Sequence, residues 1–358
     1  MAGQRYTTEA GRLENFRGRV LTRAGFTEML CKLGDMHKMP KNESETITFI
    51  RALPYGGVDN EFIAAGGDSD FINKHLIADG VTPEADSIAT VRKQATLQQI
   101  GCLFSYTDKT YEVHEEGHLY LEEMETQTTE RVTLAREMMC YGEMKSCDTK
   151  FYGGAGTSVA TVNGPMTRAL SQQIEKTIKR NHGMPINKML KSGPAFGMQS
   201  VPASFPAYCH TDMRQTLENT PGFKKVEDYG GRPLLDEEHE IGSLGSLRFI
   251  ENPLFTYMPD AGAAVGGWTG NGTASSTTGT LMDVYPVIVM GRGKAGGGAF
   301  GQVALRGREA LKVENKRLGQ IDSGDPLGQR GYVGGTTYQA QLVENDGWMA
   351  VVFVGVEA

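Results

Sequence analysis

The sequence predicts an α+β fold. Several short segments alternate apolar and polar residues as strands do, and one long stretch repeats apolar residues at steps of three and four as a helix does. Between them lie extended stretches with too few apolar residues to fold alone. Gly accounts for 46 of 358 residues, close to twice the usual ~7%, which calls for many turns, long loops and hairpins. A chain of this length allows roughly two ordinary domains and a core that needs no disulfides or metals.

Residues 1 to 41 carry eight basic and four acidic side chains, net +4 in a chain whose total is -7. Their apolar residues are too sparse for a core, so the segment reads as an arm that lies on something else. Residues 46 to 53, TITFIRAL, read as a strand stopped by Pro54, Gly56 and Gly57. In TLQQIGCLFSYT, residues 96 to 107, Ile100, Cys102, Phe104 and Tyr106 fall on one strand face and Leu103 on the other. Between these strands runs a long excursion with turn signals at Gly66, Gly67, Gly80 and Pro83. Loops of that length are uncommon in compact domains and usually functional.

Residues 112 to 145 predict one long amphipathic helix, with Leu121, Met124, Thr128, Val132, Ala135 and Met139 on its apolar stripe. It holds nine Glu against Arg131, Arg136 and Lys145, so its solvent face is acidic. Thr167 to Asn181 is a second helix ended by His182-Gly183. Strands are expected at residues 205–210, 246–250 and 284–290, with Asp212 or Thr211 capping a short helix after the first. Residues 260 to 280 are rich in Gly, Ser and Thr and read as a flexible loop. TTYQAQLVE, Asn345-Asp346-Gly347 and WMAVVFVGV predict a closing hairpin.

Lys plus Arg total 36 against 43 Asp plus Glu. That balance argues against a dedicated duplex-DNA binder, which needs excess positive charge. Cys31, Cys102, Cys140, Cys147 and Cys209 are odd in number and form no C-x-x-C pair, which fits free thiols in a reducing compartment. The first residues have no apolar stretch, so no signal peptide is expected, and the longest apolar run, near 350 to 356, is far too short to cross a bilayer.

Motifs for catalysis are weak. His114-Glu115-Glu116-Gly117-His118 matches the zinc pattern H-E-x-x-H. The best third ligand by spacing is Glu137, but on a continuous helix it would sit ~28 Å from His118. A zinc hydrolase through His114, Glu115 and His118 therefore stands only as a distant alternative. Residues 291 to 296, GRGKAG, match G-x-G-x-x-G, yet the following AFGQVAL alternates like a strand, so a Gly-rich turn is the better reading. Cys209 and His210 are neighbours on a strand and point to opposite faces. Asp236-Glu237-Glu238-His239-Glu240 reads as a solvated acidic loop. No catalytic residue, cofactor or metal is expected. Arms and excursions without their own core must be buried on neighbours, which describes a subunit of a large assembly.

Residues 51–54 (RALP), 79–83 (DGVTP) and the strand QQIGCLFSYTDK lie before the long helix; FPAYCHTDMRQTLENTPGF, EIGSLGSLRFIENP and DVYPVIVMGRG with AFGQVAL lie after it. In order and spacing these resemble the major capsid proteins of tailed bacteriophages with the Hong Kong 97 fold, within them the N-four-like podovirus sub-family. The resemblance implies a virion structural protein without enzymatic activity, assembled in the host cytoplasm. It would self-assemble into hexamers and pentamers of an icosahedral shell around double-stranded DNA. Partners would be further copies of itself, scaffolding, portal and possibly decoration proteins, and the packaged DNA through non-specific contact, with no membrane. An encapsulin-type compartment shell shares this fold and is the alternative.

It also implies names for the parts: 1–46 the amino-terminal arm, 47–110 the extended loop, 111–159 with 335–358 the peripheral domain and its spine helix, and 160–334 the axial domain. The 260–280 insert is longer than that pattern, and 312–337 has no place in it. Assembly contacts are expected from Arg17, Arg19 and Arg23 in the arm. In the excursion they are expected from Pro54, Phe62 and Phe71, with Gly80 and Pro83 setting its return bend.

Overall fold

The computed structural model describes residues 28–54 except 33, 67–113 except 83, 84 and 86, 117–186, 203–229, and 239–358 except 295, 296, 310, 322 and 323. Along these run strands β1 (Asp35–Met39) and β2 (Thr46–Ala52), helix α1 (Asp68–His75), strands β3 (Thr90–Thr96) and β4 (Gln98–Thr107), helices α2 (Asp108–Val113) and α3 (Gly117–Lys145), strand β5 (Lys150–Tyr152) and helix α4 (Arg168–Arg180). Strand β6 (Phe205–Cys209), helix α5 (Met213–Glu218), and strands β7 (Phe223–Lys225), β8 (Glu240–Leu244), β9 (Leu247–Glu251) and β10 (Val284–Met290) follow. The last elements are β11 (Phe300–Leu305), β12 (Lys312–Lys316), β13 (Arg330–Val343) and β14 (Met349–Gly355). Two compact units emerge. One contains Gln99–Ala135 and Ala310–Thr337; the other contains Glu28–Gln98, Arg136–Glu309 and Tyr338–Ala358.

The larger unit is built on a seven-stranded sheet in the order β5-β14-β10-β6-β9-β8-β7. Its central strands, VYPVIVM and MAVVFVG, are apolar throughout and buried throughout. Such runs belong to strands covered on both faces. Alternation then sorts the side chains. Val284, Ile288 and Met290 join Cys140, Tyr141 and Met144 from the end of α3 on one face. Tyr285, Val287 and Val289 join Leu170, Ile174 and Ile178 of α4 and Met213 and Leu217 of α5 on the other. Helix α4 starts as its sequence predicts, with the Thr167 hydroxyl accepting from the Leu170 N–H at 3.2 Å. Asp212 does not cap α5 through its side chain; its carboxylate instead accepts the Tyr285 hydroxyl at 3.1 Å.

In the smaller unit, Thr128 and Val132 of α3 are buried, as are Tyr106 of β4 and Val333 of β13. The Arg131 guanidinium stacks 4.5 Å from the Phe104 ring centroid. Glycines make this packing possible. A Cβ at Gly331 would lie 2.1 Å from the Tyr106 ring, and one at Gly335 would lie 2.9 Å from Thr128. Within 312–337, β12 and the first part of β13 pair antiparallel from Lys312↔Thr336 to Lys316↔Tyr332.

Helix is described over α2, to Val113, and over α3, from Gly117; residues 114–116 of the expected long helix lie outside the described residues. One expectation is corrected. The closing hairpin does not form: β13 and β14 enter different sheets, β13 beside β11 and β14 between β10 and β5. Both edges of β14 are occupied, so no ladder remains for β13. The turn closes on other partners. The Asn345 side chain accepts from the Gly347 N–H at 3.0 Å, and the N–H groups of Glu344 and Asn345 both donate to the Ala299 carbonyl.

Candidate functional site

The excursion belongs to the larger unit and starts and ends in a ribbon in which β2 and β3 pair antiparallel over every residue, from Thr46↔Thr96 to Ala52↔Thr90. One face of the ribbon is anchored: Ile47 and Phe49 pack on the cluster of Met39, Ala95, Leu97, Val303, Ala340 and Leu342. The other face turns Ile50 outward. Beyond the ribbon, among the described residues, Ile72, Leu76, Ile77, Val81 and Ile88 are between 54% and 81% exposed. A run of exposed large apolar residues along one excursion is the kind of surface that partners cover.

The expected site residues fall as follows. Pro54 and Phe71 are half-buried, and Phe71 packs on His75 with ring centroids 4.4 Å apart. Gly80 has φ 79°, a conformation that Gly adopts at no steric cost, in a turn closed by the Val81 N–H donating to the Ala78 carbonyl at 3.1 Å. Arg17, Arg19, Arg23, Phe62 and Pro83 lie outside the described residues.

A second feature was hidden from sequence reasoning. The segment from Glu28 to Cys31 is nailed to α3. Glu137, fully buried, accepts the N–H groups of Met29 at 3.0 Å, Leu30 at 2.8 Å and Cys31 at 3.3 Å. Arg136 pairs with Glu28, and the Gln302 amide donates to the Cys31 carbonyl. Cys31 and Cys140 form a disulfide with Cα atoms 6.2 Å apart, across 109 residues of sequence. This corrects the expectation of five free thiols; Cys102, Cys147 and Cys209 are free. Carboxylates and sulfur from Glu28, Cys31 and Glu137 come together here. Both Glu137 oxygens already accept N–H groups, and in the disulfide state the Cys31 sulfur is bonded, so in that state the set has no thiolate to offer a metal.

The catalytic motifs gain nothing. Residues 114–116 and the His118 side chain lie outside what is described. Glu137, the suggested third zinc ligand, holds the backbone of residues 29–31 instead. The GRGKAG stretch leads from β10 into strand β11 and not into a helix. A Cβ at Gly293 would lie 2.3 Å from the Trp348 ring, so that glycine serves indole packing. In the acidic stretch 236–240, Glu240 is buried and pairs with Arg248 at 3.3 Å. Tyr229 donates to the same carboxylate at 3.1 Å, and burial pushes its phenol up to about 12.

His210 is half-buried beside Tyr257 and Tyr285. Burial lowers its pKa, with the nearby Asp212 acting in the opposite direction. The folded chain therefore takes this proton less readily than the unfolded one. The His210 contribution is intact above the unfolded value of ~6.5 and is lost as pH falls through the lower folded value. His210→Gln is expected to flatten the decline of urea stability below about pH 6.5. An unchanged slope in that window would show that His210 does not set it.

The sequence matches no protein-family model and no curated protein. Solved structures do match over nearly the whole chain. The capsid of Ralstonia phage GP4 matches at a TM-score of 0.60 and 8% identity, covering 98% of this chain and 96% of that one. The capsid of cyanophage P-SCSP1u matches at 0.58 and 11% identity, covering 99% and 97%. The capsid of cyanophage Pam1 matches at 0.55 and 12% identity, covering 100% of both chains. At these identities the likeness is one of fold: the chain has the Hong Kong 97-like fold of phage capsid structures.

Proposed function

We propose that this chain is the major capsid protein of a tailed bacteriophage, a structural subunit that self-assembles into hexamers and pentamers of an icosahedral shell around packaged double-stranded DNA. The observation that carries the reading is that solved phage capsid structures match it from end to end. The bare apolar excursion supports it from the residues themselves, because a second copy would cover what this chain leaves exposed. On this reading residues 1–46 are the arm, 47–110 the extended loop, 111–159 with 335–358 the peripheral domain, and 160–334 the axial domain. Scaffolding, portal and possibly decoration proteins are further partners, DNA is touched without sequence preference, and no enzymatic step is involved. The N-four-like placement rests on the quoted sequence stretches.

The excursion should be mobile in the monomer and ordered in the particle, since a two-stranded ribbon is marginal in water. Burial on a neighbour would stabilise it by ~25 cal/mol per Å² of apolar area covered. Hydrogen exchange should be faster in the monomer for residues 67–90. Equal protection in both states, or normal assembly with residues 55–88 replaced by a short Gly-Ser linker, would refute the intersubunit role.

The arm is assigned an electrostatic part. The net charge of +4 over residues 1–41 suits the acidic side chains of residues 112–145, on the same or a neighbouring subunit. Each exposed pair contributes only ~0–1 kcal/mol, but a shell repeats it many times. Reversing Arg17, Arg19 and Arg23 together to Glu should weaken assembly and change its salt dependence. Assembly that is unaltered in both respects would sink this part.

A further inference from the structure

The segment emerging at Glu28 is held to α3 in two ways that differ in redox sensitivity. The first is non-covalent: Glu137 accepts three consecutive N–H groups, Arg136 pairs with Glu28, and Gln302 binds the Cys31 carbonyl. None of these contacts needs the sulfur–sulfur bond. They place Cys31 opposite Cys140, whose Cα lies 6.2 Å away, inside the range a disulfide bridges. In the dithiol form the Cys31 thiol still has an acceptor, the Arg136 carbonyl at 3.6 Å.

We propose that Cys31 and Cys140 are an oxidation-dependent staple: a dithiol in the reducing interior where the chain is made, and a disulfide in the released particle, where it locks residues 28–31 to the long helix. Only the timing rests on the capsid reading; the pairing rests on the geometry. The chemistry balances with dioxygen as oxidant. Each thiol gives up one proton and one electron, one S–S bond forms, and dioxygen takes both electrons and both protons as hydrogen peroxide. Cysteine spacing fits a reducing compartment, and the pre-built anchor reconciles that with the pair, because folding and assembly proceed before the bond exists.

Two features make the staple specific and durable. Cys147 and Cys209 are buried, and burial raises both thiols, Cys147 to about 12. They offer little thiolate for attack on the new bond at neutral pH. The staple itself is shielded, with Cys31 at 7% and Cys140 at 0% exposure, which admits dioxygen more readily than a bulky thiol reductant. Closing 109 residues of chain places it among the longer loops, where constraint of the unfolded state is largest.

The test uses the full chain purified anaerobically with reductant and then exposed to air. At intervals it is denatured in an alkylating reagent, and the modified cysteines are mapped by mass spectrometry. Five alkylated cysteines before exposure and three after, with Cys31 and Cys140 the two lost, is the expected result. Oxidised wild type should melt about 5–10 °C above reduced wild type. Cys31→Ser and Cys140→Ser should each match reduced wild type in either buffer, while Cys102→Ser keeps the full redox shift. Five alkylated cysteines after air exposure, loss of a different pair, or a redox shift that survives in Cys140→Ser would overturn the proposal. Shell formation is scored separately on the same samples, so a failed staple in intact shells counts against this inference alone. Correct pairing without shells counts against the capsid reading and the assigned timing.

Discussion

Replacing Glu137 by alanine is expected to cost about 3–5 kcal/mol in urea unfolding, through three backbone donors that lose their acceptor. The carboxylate is fully buried, and its oxygens are the acceptors for the N–H groups of Met29, Leu30 and Cys31. No backbone carbonyl within a three-residue turn can replace them. Glu137→Gln separates charge from shape. Its amide oxygen can still accept two of the N–H groups, but its amide nitrogen meets the third as a second donor. About 1–3 kcal/mol is expected for that variant. If alanine and glutamine both behaved as wild type, the anchor would be ornamental and the pre-positioning of Cys31 would need another cause.

The second large effect is at Gly153. A Cβ there would lie 2.2 Å from the Gly164 carbonyl oxygen and 3.3 Å from the Val354 Cα. Both obstacles are backbone, so relief requires moving a chain segment rather than rotating a side chain. The Gly153 N–H also donates to the Phe353 carbonyl at 2.7 Å, which ties the crowded point to β14 in the centre of the core. Gly153→Ala is expected to cost about 4 kcal/mol or more, in the range of severe overpacking, and to reduce soluble yield. Gly266→Ala is the control: its Cβ meets nothing within 4 Å, and a change within ~0.5 kcal/mol is expected. Equal effects at the two positions would show that close approach is not what Gly153 provides.

Strong patterns were legible in the sequence wherever one element's own residues decided its state. The alternation in β4 placed Tyr106 inside and Leu103 outside, and both are so. The apolar runs of β10 and β14 and the Thr167 start of α4 were equally readable. What failed depends on partners distant in sequence. The Asp-Gly turn signal is real as a turn, but which strands pair is decided by vacant edges, and β14 has none. Residues 312–337 could not be placed because β12 is polar and exposed, while the glycines of β13 serve Tyr106 and Thr128 and not a loop. Residues 260–280 were read by composition alone. The structure uses their hydroxyls as donors: Thr277 to Asp283 at 3.1 Å, and Ser276 and Thr278 to Asp260 at 3.2 and 3.0 Å.

Of the proposed assembly surface, the excursion was legible as apolar residues without a core. The anchor was not. Glu137 counted among the acidic side chains of an exposed helix face, and only the fold reveals that it faces inward beneath residues 29–31. Cys31 and Cys140 are 109 residues apart, and no spacing rule pairs cysteines across such a distance. One local signal pointed there: Cys140, Tyr141 and Met144 continue the helical period beyond Val132, so the buried stripe of α3 runs on to its end.

The central claim, that this 38.9 kDa chain is a shell subunit, is tested most directly by cryo-electron microscopy of the overexpressed protein. The account predicts closed particles whose reconstruction contains rings of six and five copies, with residues 67–90 of each copy lying on its neighbour. Monodisperse monomers at every salt and protein concentration, with and without the phage's other head proteins, would contradict it.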